Sequence, residues 1–308
     1  MGISICTTTY NNAIYLPKFF EGVKRINFDE IIFVDNFSKD SSEKLIKKFK
    51  EEIKKFGKEV VYIKEKCSRG KGRQIAFENS KYETIITLDT DTFYYSHLIN
   101  KIIKNYKKIK PSCLTAYQSF GIYTRETLKK VGGWRDLNSN EDFDLWVRLL
   151  KIKKFLFLPV NVGEDLSRVE RREQIKREKR YSSLFSMIVR FLRNERDLLI
   201  ARNCSLKEFL EESKQNKLLL LLSYPLAYSL KLFSKTKSIK VSKWSNREYW
   251  YKNCFNYYLM PSKLGLSNEL LELRLTKYML NFIKKERYNK NFQKLFEYAK
   301  KKNKILIV

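Results

Sequence analysis

Cysteine, histidine and long apolar runs are all scarce in this 308-residue chain, and each shortage narrows what it can be. The five cysteines, Cys6, Cys67, Cys113, Cys204 and Cys254, form no CxxC pair and are odd in number. That pattern argues against a zinc site and fits a reducing compartment. The sole histidine, His97, falls on a helical pattern just past an acidic triplet, where it reads as a surface or helix-packing residue. No apolar segment reaches the roughly 20 residues needed to cross a bilayer. The strongest run, Leu218 to Leu222 continuing to Leu230, is shorter than that and carries a helix-kinking Pro225. No secretory signal precedes Ile3, where the first strand-like segment begins, so a fold facing the cytosol is expected. Internal repeats, low-complexity tracts and long flexible linkers are also lacking.

What is present begins with charge. The formal net charge is +29, from 63 Lys and Arg against 34 Asp and Glu, while 43% of residues are apolar, enough for a sizeable core. So basic a chain, with 19 tyrosines, invites comparison with nucleic-acid binders, which set lysines on phosphates and aromatics on bases. Against that reading, the positive charge is spread over helix faces and gathers in no recognisable binding module.

The most informative segment is Asp89-Thr90-Asp91, which ends the apolar run Thr84 to Leu88. Carboxylates at i and i+2 at a strand's C-terminal end lie on one side of the chain. They offer hard oxygens to a divalent cation and leave positions for phosphate oxygens. A plain turn is the competing reading, since aspartate favours turns and caps. The surroundings favour the first. Glu30 to Val34 is a β-branched and aromatic run that ends in Asp35-Asn36-Phe37-Ser38-Lys39-Asp40, followed by a helical pattern from Glu43 to Phe56. Ile3 to Cys6 likewise runs into Thr7-Thr8-Thr9-Tyr10-Asn11-Asn12 and an apolar-periodic segment around Leu16, Phe19, Phe20 and Val23. Three such β-loop-α units predict an α/β fold with a mostly parallel, doubly wound sheet, whose ligands bind beyond the carboxyl ends of the strands. The loops carrying Thr9, Asp35 and the pair Asp89 and Asp91 are expected to converge on one crevice.

A fourth piece follows. Gly132-Gly133-Trp134-Arg135-Asp136 leads to Glu141-Asp142, at the start of a pattern in which Leu145, Trp146, Leu149 and Leu150 recur at helical spacing. Carboxylates in a first turn are ordinary capping chemistry, stabilised by the helix dipole by about 0.3–1 kcal/mol. Their place after the other three pieces points to more.

In this order along the chain, the pieces resemble the family 2 glycosyltransferases, inverting enzymes of the GT-A fold. Thr8-Thr9-Tyr10-Asn11 is similar to that family's opening loop, and Val34 to Asp40 to its valine-aspartate-aspartate-glycine-serine motif. Arg69-Gly70-Lys71-Gly72-Arg73 is similar to its basic, glycine-containing segment before the third strand. Asp89-Thr90-Asp91 then stands as the DxD motif, Gly133-Trp134 as the acceptor-side loop, and Glu141-Asp142 as the motif with the catalytic base. The resemblance implies transfer of a sugar from a nucleotide-diphosphate donor to an acceptor hydroxyl, glycan or lipid-linked, with Mn2+ or Mg2+ held by Asp91 and Asp89. It implies Thr9, Tyr10, Asn11, Asp35, Lys71, Arg73 and Asp89 around the nucleotide sugar, Gly133 and Trp134 on the acceptor side, and Asp142 as base with Glu141 shaping its field. Solvated loop charges are an equal reading for Lys71.

The chain departs from the family's pattern twice. Asn36-Phe37 replaces the usual aspartate-glycine, and a histidine often found after the strand that follows the catalytic helix is missing, which leaves Asp165 as the candidate second metal ligand. A polyprenyl-phosphate sugar synthase is a variant within the same reading. A sugar nucleotidyltransferase on a similar sheet would want a glycine-rich first loop to cradle a triphosphate, and Thr7 to Asn12 contains no glycine.

After Asp165 the sequence changes character. Arg168, Arg171, Arg172, Lys176, Arg177, Lys179 and Arg180 precede an apolar stretch from Leu184 to Leu192 that Arg190 interrupts, and the Leu218 run follows. Basic flanks on apolar helices suggest a segment lying in a membrane interface; the alternative is helices that cap the catalytic domain or form a homodimer contact. The aromatics from Trp244 to Tyr258 suit either an interface or a helical core. Residues 268–304 carry helical periodicity under a lysine-rich face. The expected organisation is a catalytic domain over 1–165, a basic helical region over 166–260 at the cytoplasmic face of a membrane, and C-terminal helices over 261–308.

Overall fold

The structure, a computed structural model, describes residues 2–109, 113–167, 184–212, 217–239 and 245–308. Its strands are β1 (Ile3–Thr9), β2 (Glu30–Asp35), β3 (Glu59–Lys64), β4 (Thr84–Thr87), β5 (Thr92–Tyr94), β6 (Cys113–Ala116), β7 (Phe120–Thr124), β8 (Leu156–Leu158) and β9 (Gly163–Asp165). Between them lie α1 (Leu16–Val23), α2 (Ser42–Lys54), α3 (Arg69–Glu78), α4 (Ser96–Tyr106), α5 (Arg125–Val131) and α6 (Glu141–Lys151). Seven strands form one sheet in the order β3-β2-β1-β4-β7-β6-β8, and β7 runs antiparallel to both of its neighbours.

Neighbouring apolar residues of a strand go to opposite faces, which is why both faces are buried. Ile5, Phe33 and Ile86 pack with Phe19, Phe49 and Ile99 of α1, α2 and α4 on one side. Cys6, Val34 and Ile85 pack on the other with Ile75, Leu145 and, from the second half of the chain, Phe255 and Phe292. The parallel register sets Thr9 beside Asp35 and Cys6 beside Thr87, so the loops after β1, β2 and β4 leave the sheet along one edge. The short pair β5 and β9, with Thr92 opposite Asp165, carries the chain past that edge.

The mostly parallel sheet followed by a largely helical region agrees with the sequence expectation. The difference lies in added strands. β3 is an edge strand whose residues are mostly half-exposed, so it lacks the continuous buried apolar run that marks β2. Residues 273–275, read as helical, instead form a strand parallel to Ile305–Ile307. There Leu271, Leu273 and Leu275 are all buried at a period of two, and tertiary burial overrides the leucine spacing.

In the second half, helices Leu184–Arg202, Leu206–Glu212 and Lys217–Leu232 share a core of Leu199, Cys204, Phe209, Leu220 and Ala227. Ile200 and Ala201 of the first helix pack on Phe143 and Val147 of α6. The basic stretch 168–180 and Trp244 lie outside the described residues. Of the aromatic cluster, Tyr251, Phe255 and Tyr258 are buried, and Trp250 stacks on Trp146 at 6.2 Å between ring centroids, so these rings serve the core. Among the described residues no helix is long and apolar enough to cross a membrane.

Candidate active site

Polar side chains tie the three strand-end loops together before any ligand is considered. Thr7 Oγ1 donates to the Leu88 carbonyl at 2.7 Å, Asn12 Nδ2 to Thr90 Oγ1 at 2.6 Å, and Thr90 Oγ1 to the Thr8 carbonyl at 3.2 Å. Asn11, with a left-handed φ of 51°, donates its N–H to Ser38 Oγ and accepts from the Lys39 N–H. Asp35, fully buried, accepts from the Ser38 N–H and hydroxyl on one oxygen and from the Tyr62 hydroxyl, at 2.6 Å, on the other. Its carboxylate therefore shapes the loop after β2.

Helix α3 enters this edge through its glycines. A Cβ on Gly70 would sit 2.1 Å from the Arg135 carbonyl oxygen, and one on Gly72 2.8 Å from Thr8 Cγ2. The two glycines thus permit close approach of helix and loops, and the helix then delivers Arg73 to the centre of the site. Arg73 is 2% exposed. Its guanidinium reaches Asp89 Oδ1 at 2.7 Å, Glu141 Oε1 at 3.2 Å, and Asp142 Oδ1. The residue expected at a diphosphate is thus engaged by three carboxylates, joining the acidic triplet to the acidic helix start.

The electrostatics follow. Burial disfavours a charged Asp89, but Arg73 and, further out, Arg69 outweigh it and hold the carboxyl below its ordinary value. Burial pushes Glu141 up to about 7, with the Asp142 charge adding to the rise and Arg73 opposing it. Asp142 remains partly exposed, and the indole N–H of Trp134 donates to its Oδ1 at 3.2 Å. Trp134 itself is buried against Phe77 and Tyr123. Gly133, with a φ of 60°, has Gln74 where a Cβ would stand. This pair supports the acidic helix start from behind.

A cavity of about 850 Å³ opens over the edge, within the size range of small-molecule sites. Thr9, Tyr10, Asp89 and Asp91 line it, with Arg69 alongside. Thr9 is 3% exposed and its hydroxyl has no partner among the described residues, an arrangement that favours a ligand able to supply one. Asn11, Asp35, Lys71, Arg73, Gly133, Trp134, Glu141 and Asp142 are absent from the lining; Lys71 is exposed on α3. The opposite wall comes from helix Leu184–Arg202, through Val189, Arg190, Arg193 and Asn194. Sequence reasoning missed that wall, because nothing in a helical stretch of mixed charge says which loop it will face. Arg69 was legible as part of the motif but not as the arginine that reaches the cavity.

Asp91 and Asp89 offer hard oxygens on one wall, a donor set that suits Mg2+ or Mn2+, which commonly take one or two carboxylates and fill the remaining positions with phosphate oxygens and water. Among the described residues no three His, Cys, Asp or Glu side chains gather as a closed metal cage. Asp165 lies across from Thr92, and its Oδ1 accepts from the Ser167 N–H and hydroxyl; the Leu166 N–H donates to the Asp91 carbonyl at 2.9 Å. The β5 and β9 pair therefore brings the Asp165 segment to the acidic triplet.

Residues 4–156 match the family described as glycosyl transferase family 2. No curated protein matches the chain by sequence. Solved structures similar to it include the mannosyltransferase PcManGT from Pyrobaculum calidifontis in complex with GDP-Man and Mn2+, at 12% identity and a TM-score of 0.49 over 73% of this chain and 69% of that one. S. aureus TarS 1-349 is similar at 14% identity and a TM-score of 0.48, over 86% and 81%. Glucosyl-3-phosphoglycerate synthase from Mycobacterium tuberculosis, in complex with Mn2+, uridine-diphosphate and glucosyl-3-phosphoglycerate, is similar at 11% identity and a TM-score of 0.45, over 57% and 76%.

Proposed function

Given that this chain belongs to glycosyl transferase family 2, we propose that it moves a sugar from a nucleotide-diphosphate donor to an acceptor hydroxyl by a single inverting displacement. The observation that carries this reading is the convergence on one cavity of Asp89, Asp91 and the unpartnered Thr9 hydroxyl, with Asp142 tied to the same centre through Arg73. The acceptor oxygen bonds to the anomeric carbon while the bond from that carbon to the diphosphate oxygen breaks on the opposite face. Asp142 takes the hydroxyl proton, a role typically worth 10²–10⁴-fold. Trp134 and Arg73 fix its orientation, and Glu141, largely protonated below about 7, limits the negative charge beside it.

Thr9 and Tyr10 form the nucleotide side of the pocket, and Asn11, through Ser38 and Lys39, ties it to the loop that Asp35 shapes. Asp89 and Asp91 would hold a divalent cation, Mn2+ or Mg2+, with Asp165 as the further candidate carboxylate. When bound, that cation supplies a Lewis acid that neutralises charge on the departing diphosphate. The acceptor is a glycan or lipid-linked hydroxyl.

The test is a thermal-shift series of nucleoside diphosphates with Mn2+ or Mg2+. A ligand that binds only the native state raises apparent stability by about 2.7 kcal/mol at a hundredfold excess over Kd. One nucleoside diphosphate should stand out with metal present. No shift with any of them would contradict the reading.

A further inference from the structure

Helix Lys217–Leu232 turns its apolar residues outward. Leu220 and Ala227 are buried against the neighbouring helices, and Ser223 joins them on that side. A surface helix would ordinarily be polar on the opposite arc. Here that arc carries Leu218 at 65% exposure, Leu222 at 71% and Leu226 at 53%, with Phe233 just past the helix end at 87%. Of the hydroxyls on the exposed side, Ser229 donates to the Pro225 carbonyl at 2.9 Å and is satisfied within the helix, while Tyr228, 41% exposed, adds a ring with a polar tip. A helix apolar on all sides is normally covered on all sides. At 16 residues this one is about 24 Å long, and it is not long and apolar enough to span a bilayer.

We infer that this outward face lies flat in the headgroup region of an anionic membrane, and that the acceptor is membrane-borne. The inference rests on the proposed transfer for its chemistry and adds the partner. Charge selects the occupant. The chain carries +29, and the exposed Lys235 and Lys237 lie two and four residues past Phe233. A second copy would bring the same charge to the same patch and be repelled, whereas anionic lipid is complementary. Apolar burial and lysine attraction then act together, which is how peripheral helices hold a surface without spanning it. The position is also apt: the helix packs on Leu184–Arg202, whose Val189 and Arg193 line the cavity. One helix therefore separates the membrane face from the site of transfer.

Flotation of the full chain with vesicles tests this. With phosphatidylglycerol and phosphatidylcholine vesicles at low salt the chain should float, less so at high salt, and it should partition weakly to phosphatidylcholine alone. Leu222→Glu with Phe233→Glu changes two exposed side chains, so circular dichroism and nucleoside-diphosphate affinity should be retained while vesicle partitioning falls by about tenfold or more. A native chain that stays at the bottom of the gradient at low salt would overturn the inference. So would a stable dimer, seen by analytical ultracentrifugation without vesicles, that the double variant splits into monomers. The two readings separate cleanly, because flotation reports on the surface and release of nucleoside diphosphate from a sugar donor reports on the reaction.

Discussion

At the carboxyl ends of β1, β2 and β4, apolar side chains disappear into the two cores and polar ones gather at a single crevice. On helix Lys217–Leu232 the side turned away from the protein is the apolar one. In the first region the loops are tied by their own hydrogen bonds and Arg73 answers the acids around it, while the buried Thr9 hydroxyl is left without a partner among the described residues. The second is apolar where it meets its surroundings. A region that leaves a buried polar group without a partner calls for a small ligand, and a region that leaves large apolar side chains exposed calls for a surface. The variants below probe how far the strand-end region is self-contained.

Arg73→Ala should have the largest effect on stability. It removes the buried cation shared by Asp89, Glu141 and Asp142, and breaking a buried pair from one side typically costs about 3–5 kcal/mol. Urea denaturation measures this, and a loss well under 1 kcal/mol would mean that these acids are solvated rather than held by Arg73. Arg73→Lys should recover part of the loss, since a single ammonium replaces the charge but not the planar fork.

Asp142→Asn keeps the shape and removes the proton acceptor. Turnover should fall by about 10²-fold or more, with donor affinity little changed. Near-normal turnover with a true acceptor would make Asp142 a helix-start residue alone and put the base elsewhere.

A smaller effect appears with pH. Glu141 has its pKa raised from 4.5 to about 7, so its contribution to stability is fully present below the lower value and is lost as pH rises through the upper one. Glu141→Gln should flatten that part of the decline, so that the difference in stability between variant and native chain moves in favour of the variant by on the order of 3 kcal/mol across this window. Thermal unfolding at a series of pH values measures it, and a constant difference would show that Glu141 is ionised throughout.

Much of the strand-end region was legible in the sequence. Asp35, Asp89 and Asp91 sit at ends of apolar runs, and strand direction alone predicts that they converge. Arg73 was visible as a basic residue but not as a buried one, because its burial depends on Gly70 and Gly72 letting α3 close against Arg135 and Thr8, a tertiary contact with no local signature. Trp134 was assigned to the acceptor side from its motif, while its place behind Asp142 depends on packing against Phe77 and Tyr123. In the helical half, the apolar run around Leu218 was plain. Which arc of it faces outward was not, since a helix apolar on every side has no periodicity to orient it. The wall made by Val189, Arg190 and Arg193 was hidden for a related reason: their spacing fixes a helix face but not what the face meets.

The central claim is that the strand-end carboxylates hold a cation that binds the donor's diphosphate. Titration calorimetry of the preferred nucleoside diphosphate, with Mn2+ or Mg2+ and again with chelator, tests it in the native chain and in Asp91→Ala. The native chain should lose about tenfold or more of its affinity when the metal is chelated, and Asp91→Ala should bind equally weakly with or without metal while unfolding at the same temperature as the native chain. Equal affinity in all four measurements would contradict the claim.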